Sequence, residues 1–182
     1  VDLPPSSALS IIRNGPPSFK GRKLGILLSD GADAALFTAL IKAIDKVGAV
    51  YEVVAPKIGG VALSDGTLVA AKQKVDGGPS VLFDAVAVLV SDEGATLLAN
   101  DAVAQDFVRD AFGHCKYIGL TESAEPIFVA GGIADKLDEA CILLGTAKSS
   151  AAFIDTIGAL RYWPRELDVD LDAEPAATSS DA

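Results

Sequence analysis

Histidine occurs once in the 182-residue chain, as His114, and cysteine twice, as Cys115 and Cys141. One histidine excludes a multi-histidine metal centre, and two cysteines give neither a disulfide framework nor zinc-ligand spacing. No run approaches the roughly 18 uninterrupted apolar residues of a membrane span. This holds although half the residues are hydrophobic and the mean hydropathy is +0.38. The N-terminus lacks a basic region followed by an apolar one, so no secretory signal is expected and a cytoplasmic location follows. A chain that opens on Val1 is expected to be a piece cut from a longer protein. No basic patch stands out, which argues against nucleic-acid binding. Neither a G-x-G-x-x-G stretch nor a P-loop is present.

The charge that is present is unevenly placed. Net charge is −10, but six of the 25 acidic residues lie after Arg165, where no Lys or Arg follows. The rest of the chain carries 15 basic against 19 acidic residues, or −4. The ending "DVDLDAEPAATSSDA" reads as a disordered, solvating tail over residues 167–182. Residues 1–21 hold small apolar islands between proline pairs and Asn14-Gly15, the pattern of an extended arm leading from a preceding domain.

Between these ends the pattern alternates strand and helix. Leu24 to Leu28 is a short continuous apolar run, expected of a strand buried on both faces. A helix should start near Ala32, bury Leu36, Phe37, Leu40, Ile41 and Ile44, and stop at Gly48. "YEVVAP" predicts the next strand, and Ser64-Asp65-Gly66-Thr67 a hairpin turn. "DAVAVLVS" and "KYIGL" predict further strands. Between them a helix over 102–112, capped by Asn100 or Asp101, should bury Val103, Phe107, Val108 and Phe112. Ile142 to Leu144 can form one more strand and Ser149 to Leu160 a last helix. The fold class expected is α/β, a doubly wound and mainly parallel sheet with helices on both faces, over residues 22–166.

Three places invite a chemical reading. His114 and Cys115 are adjacent, as in a thiol enzyme, but both fall at the C-terminal end of a helix. The dipole there disfavours a thiolate, and adjacent helical residues do not face one another. They also enter the strand at its amino end, whereas sites in open α/β sheets form beyond the carboxyl ends. A helix-end histidine and a small hydrophobic cysteine account for the pair, and for Cys141 likewise. The turn "LTESAEP" lies on the correct edge and places Glu122 and Ser123 where a nucleophile elbow would sit. Ser123 would need a base, and His114 is a whole strand away, about 13 Å or more. The loop "SDGADAALF" could cradle a phosphate, but Asp30 and Asp33 would repel it.

Taken together, "SSALSIIRNGPPSFKGRKLGILLSDGAD", "ALSDGT", "FDAVAVLVS", "DAVAQDFVRDAFGHCKYIG" and "RYWPRE" resemble the C-terminal domain of large-subunit haem catalases. The resemblance runs from about Ser6 to Glu166. It implies a flavodoxin-like domain related to the class I glutamine-amidotransferase-like superfamily, whose enzymes carry a cysteine and then usually a histidine after a strand. Matched from Lys116 onward, those positions fall on Glu122 and Ser123, so the resemblance implies a decayed site and no catalytic residue in this chain. It also implies haem in a preceding core, absent here, with none of Tyr51, Tyr117 or Tyr162 in a haem-ligating motif. The implied partners are that catalase core, a homotetramer and unfolded client proteins. The implied roles are stabilisation of the parent and a chaperone-like effect. A thiol- or carboxylate-dependent hydrolase or glyoxalase, using Cys115 or Glu122, is the alternative.

Overall fold

The computed structural model describes residues 4 and 6–168. The acidic tail expected over 167–182 falls almost wholly outside them.

The apolar run after the arm forms β1 (Lys23–Leu28), whose last five residues are all buried. Asp33 then caps α1 (Ala34–Val47), its carboxylate accepting the Leu36 N–H at 2.8 Å. Gly48 ends that helix in the left-handed region, φ 69°, where a side chain would be strained. The chain continues through β2 (Val50–Ala55), the hairpin β3 (Val61–Ala62) and β4 (Leu68–Val69), and the short β5 (Gln73–Lys74). Next come β6 (Ala85–Leu89), α2 (Asp92–Ala99), α3 (Ala102–Gly113) and β7 (Ile118–Leu120). Then follow α4 (Glu125–Ala130), β8 (Cys141–Leu143) and α5 (Ala147–Thr156).

Six strands make one sheet in the order β5-β2-β1-β6-β7-β8, every neighbouring pair parallel. The core is split by that sheet into two apolar layers. Phe37, Leu40 and Ile44 of α1 meet Phe153 and Ile154 of α5 on one face. Leu98 of α2, Phe107 and Val108 of α3, and Phe128 of α4 fill the other. Each fully buried side chain of this size is worth about 1.5–3 kcal/mol. Gly25 in β1 has no alternative: a Cβ there would strike the buried Phe83 ring.

Three details depart from the sequence reading. Val103 is 36% exposed and Phe112 only partly buried; α3 instead buries Ala104, Phe107, Val108 and Ala111. Phe112 serves as a platform for a cation, described below. Phe19 lies inside the expected arm yet is 1% exposed and packs in the α1/α5 layer, so the packed unit reaches back past residue 22. Helix α2 has no counterpart in the apolar pattern of the sequence. Gly94 weakens its helical signal, but a Cβ there would collide with Ser29, and the Ser91 hydroxyl caps it by accepting the Gly94 N–H at 3.0 Å.

Candidate functional site

Parallel strands bring Leu28, Leu89 and Leu120 to one edge, and the strand order reverses around β1 and β6. Ligands of such folds bind outside that switch point. Here the loops that frame the crevice are tied to one another by the protein's own groups. Ser29 Oγ accepts the Ser91 N–H at 3.0 Å, and Ser91 Oγ donates to the Asp30 carbonyl at 2.7 Å. The β3–β4 hairpin folds over the loop, its Ala62 carbonyl accepting the Gly31 N–H at 2.8 Å and its Ser64 hydroxyl the Ala34 N–H at 3.1 Å.

Asp30 accepts the Ala62 N–H at 2.9 Å and pairs with Lys57 at 3.1 Å. Those hydrogen bonds, the backbone one first, hold its carboxyl below the ordinary range. Asp33 is spent on capping α1. The loop is thus organised as a joint between β1 and the hairpin, and its carboxylates stand where a phosphate would.

Glu122 and Ser123 do sit at the carboxyl edge, beside a cavity of about 450 Å³ lined also by Ser91, Asp92, Glu93 and Thr121. Glu122 is exposed and opens a 3-10 turn, Glu122–Ala124. The Ser123 hydroxyl donates to the Val90 carbonyl at 2.5 Å and lies 2.9 Å from Thr121 Oγ1. No residue of the turn has the positive φ of a strained elbow; among the described non-glycine residues only Cys115 and Leu160 do. A larger cavity, about 780 Å³, lies between α1 and α5, with alanines on its walls and charges of both signs from Lys42, Lys46, Asp33, Asp65 and Asp155.

The structure separates His114 from Cys115. His114 caps α3 in solvent, its Nδ1 donating to the Asp110 carbonyl at 2.7 Å. Cys115 is 3% exposed and takes the left-handed conformation, φ 54°, normally given to glycine just past a helix. The Cys115 N–H bonds to Phe112 O and the Lys116 N–H to Ala111 O, which completes that helix stop. Burial first, then the Glu166 carboxylate 3.5 Å from Sγ, push the Cys115 thiol up. Burial pushes Cys141 up to about 11. Alkylation of either thiol in the native chain is therefore expected to run at least tenfold slower near pH 8 than that of a free thiol. Equal or faster reaction at Cys115, followed by mass spectrometry, would overturn that assignment.

What sequence inspection missed is the cluster at the opposite, amino edge. Arg165 is 5% exposed and grips Asp138 through two nitrogens, at 2.6 and 2.8 Å. Its Nη1 also donates to the carbonyls of Phe112 at 2.9 Å and Lys116 at 3.0 Å, and the guanidinium lies 4.0 Å from the Phe112 ring centre. Lys116, 2% exposed, donates to the Ser80 carbonyl, and burial drives its ammonium down to about 8. The tyrosines are packing groups: Tyr51 meets Phe37 edge-on, and Tyr117 meets Tyr162. Among the described residues no cluster of three or more His, Cys, Asp or Glu side chains could hold a metal, and no helix is long and apolar enough to cross a membrane.

The sheet order and the two helical layers define a flavodoxin-like domain, and solved structures agree. DJ-1 of Toxoplasma gondii in its oxidized form superposes with a TM-score of 0.63 at 13% identity, covering 81% of this chain and 95% of that one. A ThiJ/PfpI domain protein from Brachyspira murdochii gives 0.64 at 15% identity, covering 78% and 96%. At such identities the likeness is one of fold. Residues 20–166 match the C-terminal domain found in long catalases, and the chain belongs to that family. It is 56% identical over 170 residues to Catalase C of Rhizobium meliloti (strain 1021), covering 93% of this chain and 24% of the relative. Catalase HPII of Pseudomonas putida is 30% identical over 165 residues, covering 90% and 22%. The chain thus spans about a quarter of the length of these relatives.

Proposed function

We propose that this chain is the non-enzymatic accessory domain of a long catalase whose preceding region holds haem and converts hydrogen peroxide to water and oxygen. In that reading it stabilises the parent homotetramer, and its own ancestral site has decayed. The observation that carries it is the carboxyl-edge turn: an exposed carboxylate at Glu122, a hydroxyl at Ser123 committed to the Val90 carbonyl, and no histidine, cysteine or lysine lining the cavity beside them. Both thiols are pushed away from reactivity, which counts against the hydrolase or glyoxalase alternative.

Deleting residues 20–166 from the parent is expected to lower its unfolding temperature by several degrees while leaving peroxide turnover per haem unchanged in the cold. An unaltered unfolding temperature would remove the stabilising role. Turnover of thioesters or α-oxoaldehydes by the chain alone, lost on Cys115→Ser or Glu122→Gln, would restore the alternative. The same reading includes holding unfolded clients on exposed apolar surface. No suppression of aggregation of a heat-labile enzyme at equimolar chain would end that part.

A further inference from the structure

The segment ahead of β1 is folded on itself. Asn14 Nδ2 donates to the carbonyls of Ser7 at 3.0 Å and Ala8 at 3.2 Å, and the Asn14 N–H bonds to Ser10 O at 3.0 Å. The Arg13 N–H adds a bond to Ser10 Oγ. This compact knot leaves its large side chains in water: Leu9 is 82% exposed, Ile11 64% and Ile12 67%, with Leu9 and Ile11 on the rim of the gap between knot and domain. Among the described residues no hydrogen bond ties residues 6–16 to the sheet domain. Between knot and domain lies an open cavity of about 570 Å³, walled on the domain side by Arg22, Asp84, Leu160, Arg161 and Trp163.

A segment that spends hydrogen bonds to fix its shape, yet leaves three aliphatic side chains in water, is shaped for a surface that covers them. The chain itself indicates which. It is a C-terminal domain, spans 24% of a relative 56% identical to it, and is joined to whatever precedes it through this knot. We infer that Leu9, Ile11 and Ile12 form a docking key that seats the knot, and the amino edge of the sheet behind it, on the preceding region of the same polypeptide. The inference rests on the accessory-domain reading and says where that domain attaches.

The test compares the full-length parent with its Ile11→Asp/Ile12→Asp variant, using limited proteolysis within residues 6–18 and thermal unfolding. Undocking two buried isoleucines should speed cleavage roughly tenfold to a hundredfold and lower the parent's unfolding temperature. In the 182-residue chain alone, where both side chains already face water, neither quantity should change. Leu68→Asp, on the hairpin and 81% exposed, serves as the control and should behave as wild type in both settings. If deletion of residues 20–166 destabilises the parent but the double variant is cleaved no faster, the docking key is wrong and the accessory role stands. If the isolated chain is a dimer that the double variant converts to monomer, the occupant is a second copy and the inference is overturned.

Discussion

Arg165→Ala should cost the chain about 3–5 kcal/mol, read from urea unfolding at neutral pH. The loss comes from what is stranded. Asp138 keeps a partly buried charge, and the carbonyls of Phe112 and Lys116 lose a donor. Arg165→Lys should recover little, because an ammonium cannot bridge both carboxylate oxygens and reach two carbonyls while lying on the Phe112 ring. Burial tends to raise the Asp138 carboxyl, but the Arg165 hydrogen bond and the Ala140 N–H outweigh it and hold it below its ordinary 3.8. The pair therefore contributes fully above that pH and fades as pH falls through the lower folded value. Lys57→Ala supplies the contrast: its pair with Asp30 is largely exposed and should be worth under about 1 kcal/mol. A loss below about 1 kcal/mol for Arg165→Ala would show that the cluster is ornamental.

The second large effect has the opposite sign. Lys116→Met should stabilise the chain by about 1–2 kcal/mol at pH 7, because the wild type holds a buried ammonium with Arg161 nearby, a penalty whose removal is partly offset by the Ser80 carbonyl losing its donor. The folded amine loses its proton near pH 8 and the unfolded one near 10.5. Below pH 8 the penalty is complete. Between those values the unfolded chain binds more protons, so this lysine's penalty is relieved as pH rises. The thiols pull the other way. Cys141 titrates near 9 unfolded and about 11 folded, so its contribution is lost as pH climbs through that window. The wild type should accordingly show a shallow profile above pH 8, and Lys116→Met a clear decline. Parallel profiles for the two proteins would mean that Lys116 is not desolvated as described.

Alternation of apolar runs with amphipathic stretches made the sheet and most helices legible, because β1 and β6 are buried on both faces and α1 on one. Helix α2 was hidden because its glycine is required by Ser29, a contact that exists only after folding. The signal that could have revealed it was Ser91 followed by Asp92 and Glu93, a cap and an acidic first turn. At the carboxyl edge, strand polarity was enough to set Glu122 and Ser123 apart from His114 and Cys115. The amino-edge cluster was not readable. Arg165, Asp138 and the Phe112 carbonyl are brought together only by tertiary structure, and none sits in a motif. Residue type marks Cys115 as a small hydrophobe, whereas its left-handed backbone, which explains its place better, leaves no trace in the sequence.

The central position of β1 also governs the order of events in folding. Its residues pair with β2 soon after both emerge but must wait for Ala85–Leu89 on the other side, and Leu24 meets Ala85 from 61 positions further along the sequence. Loop closure over such a distance is slow. During synthesis, β1 therefore spends time with the backbone N–H and C=O groups of one edge unpaired, and the Arg165 clamp, encoded near the end of the packed unit, closes only after every strand has emerged. The chain should become resistant to proteases late and abruptly, when its last turn locks to Asp138.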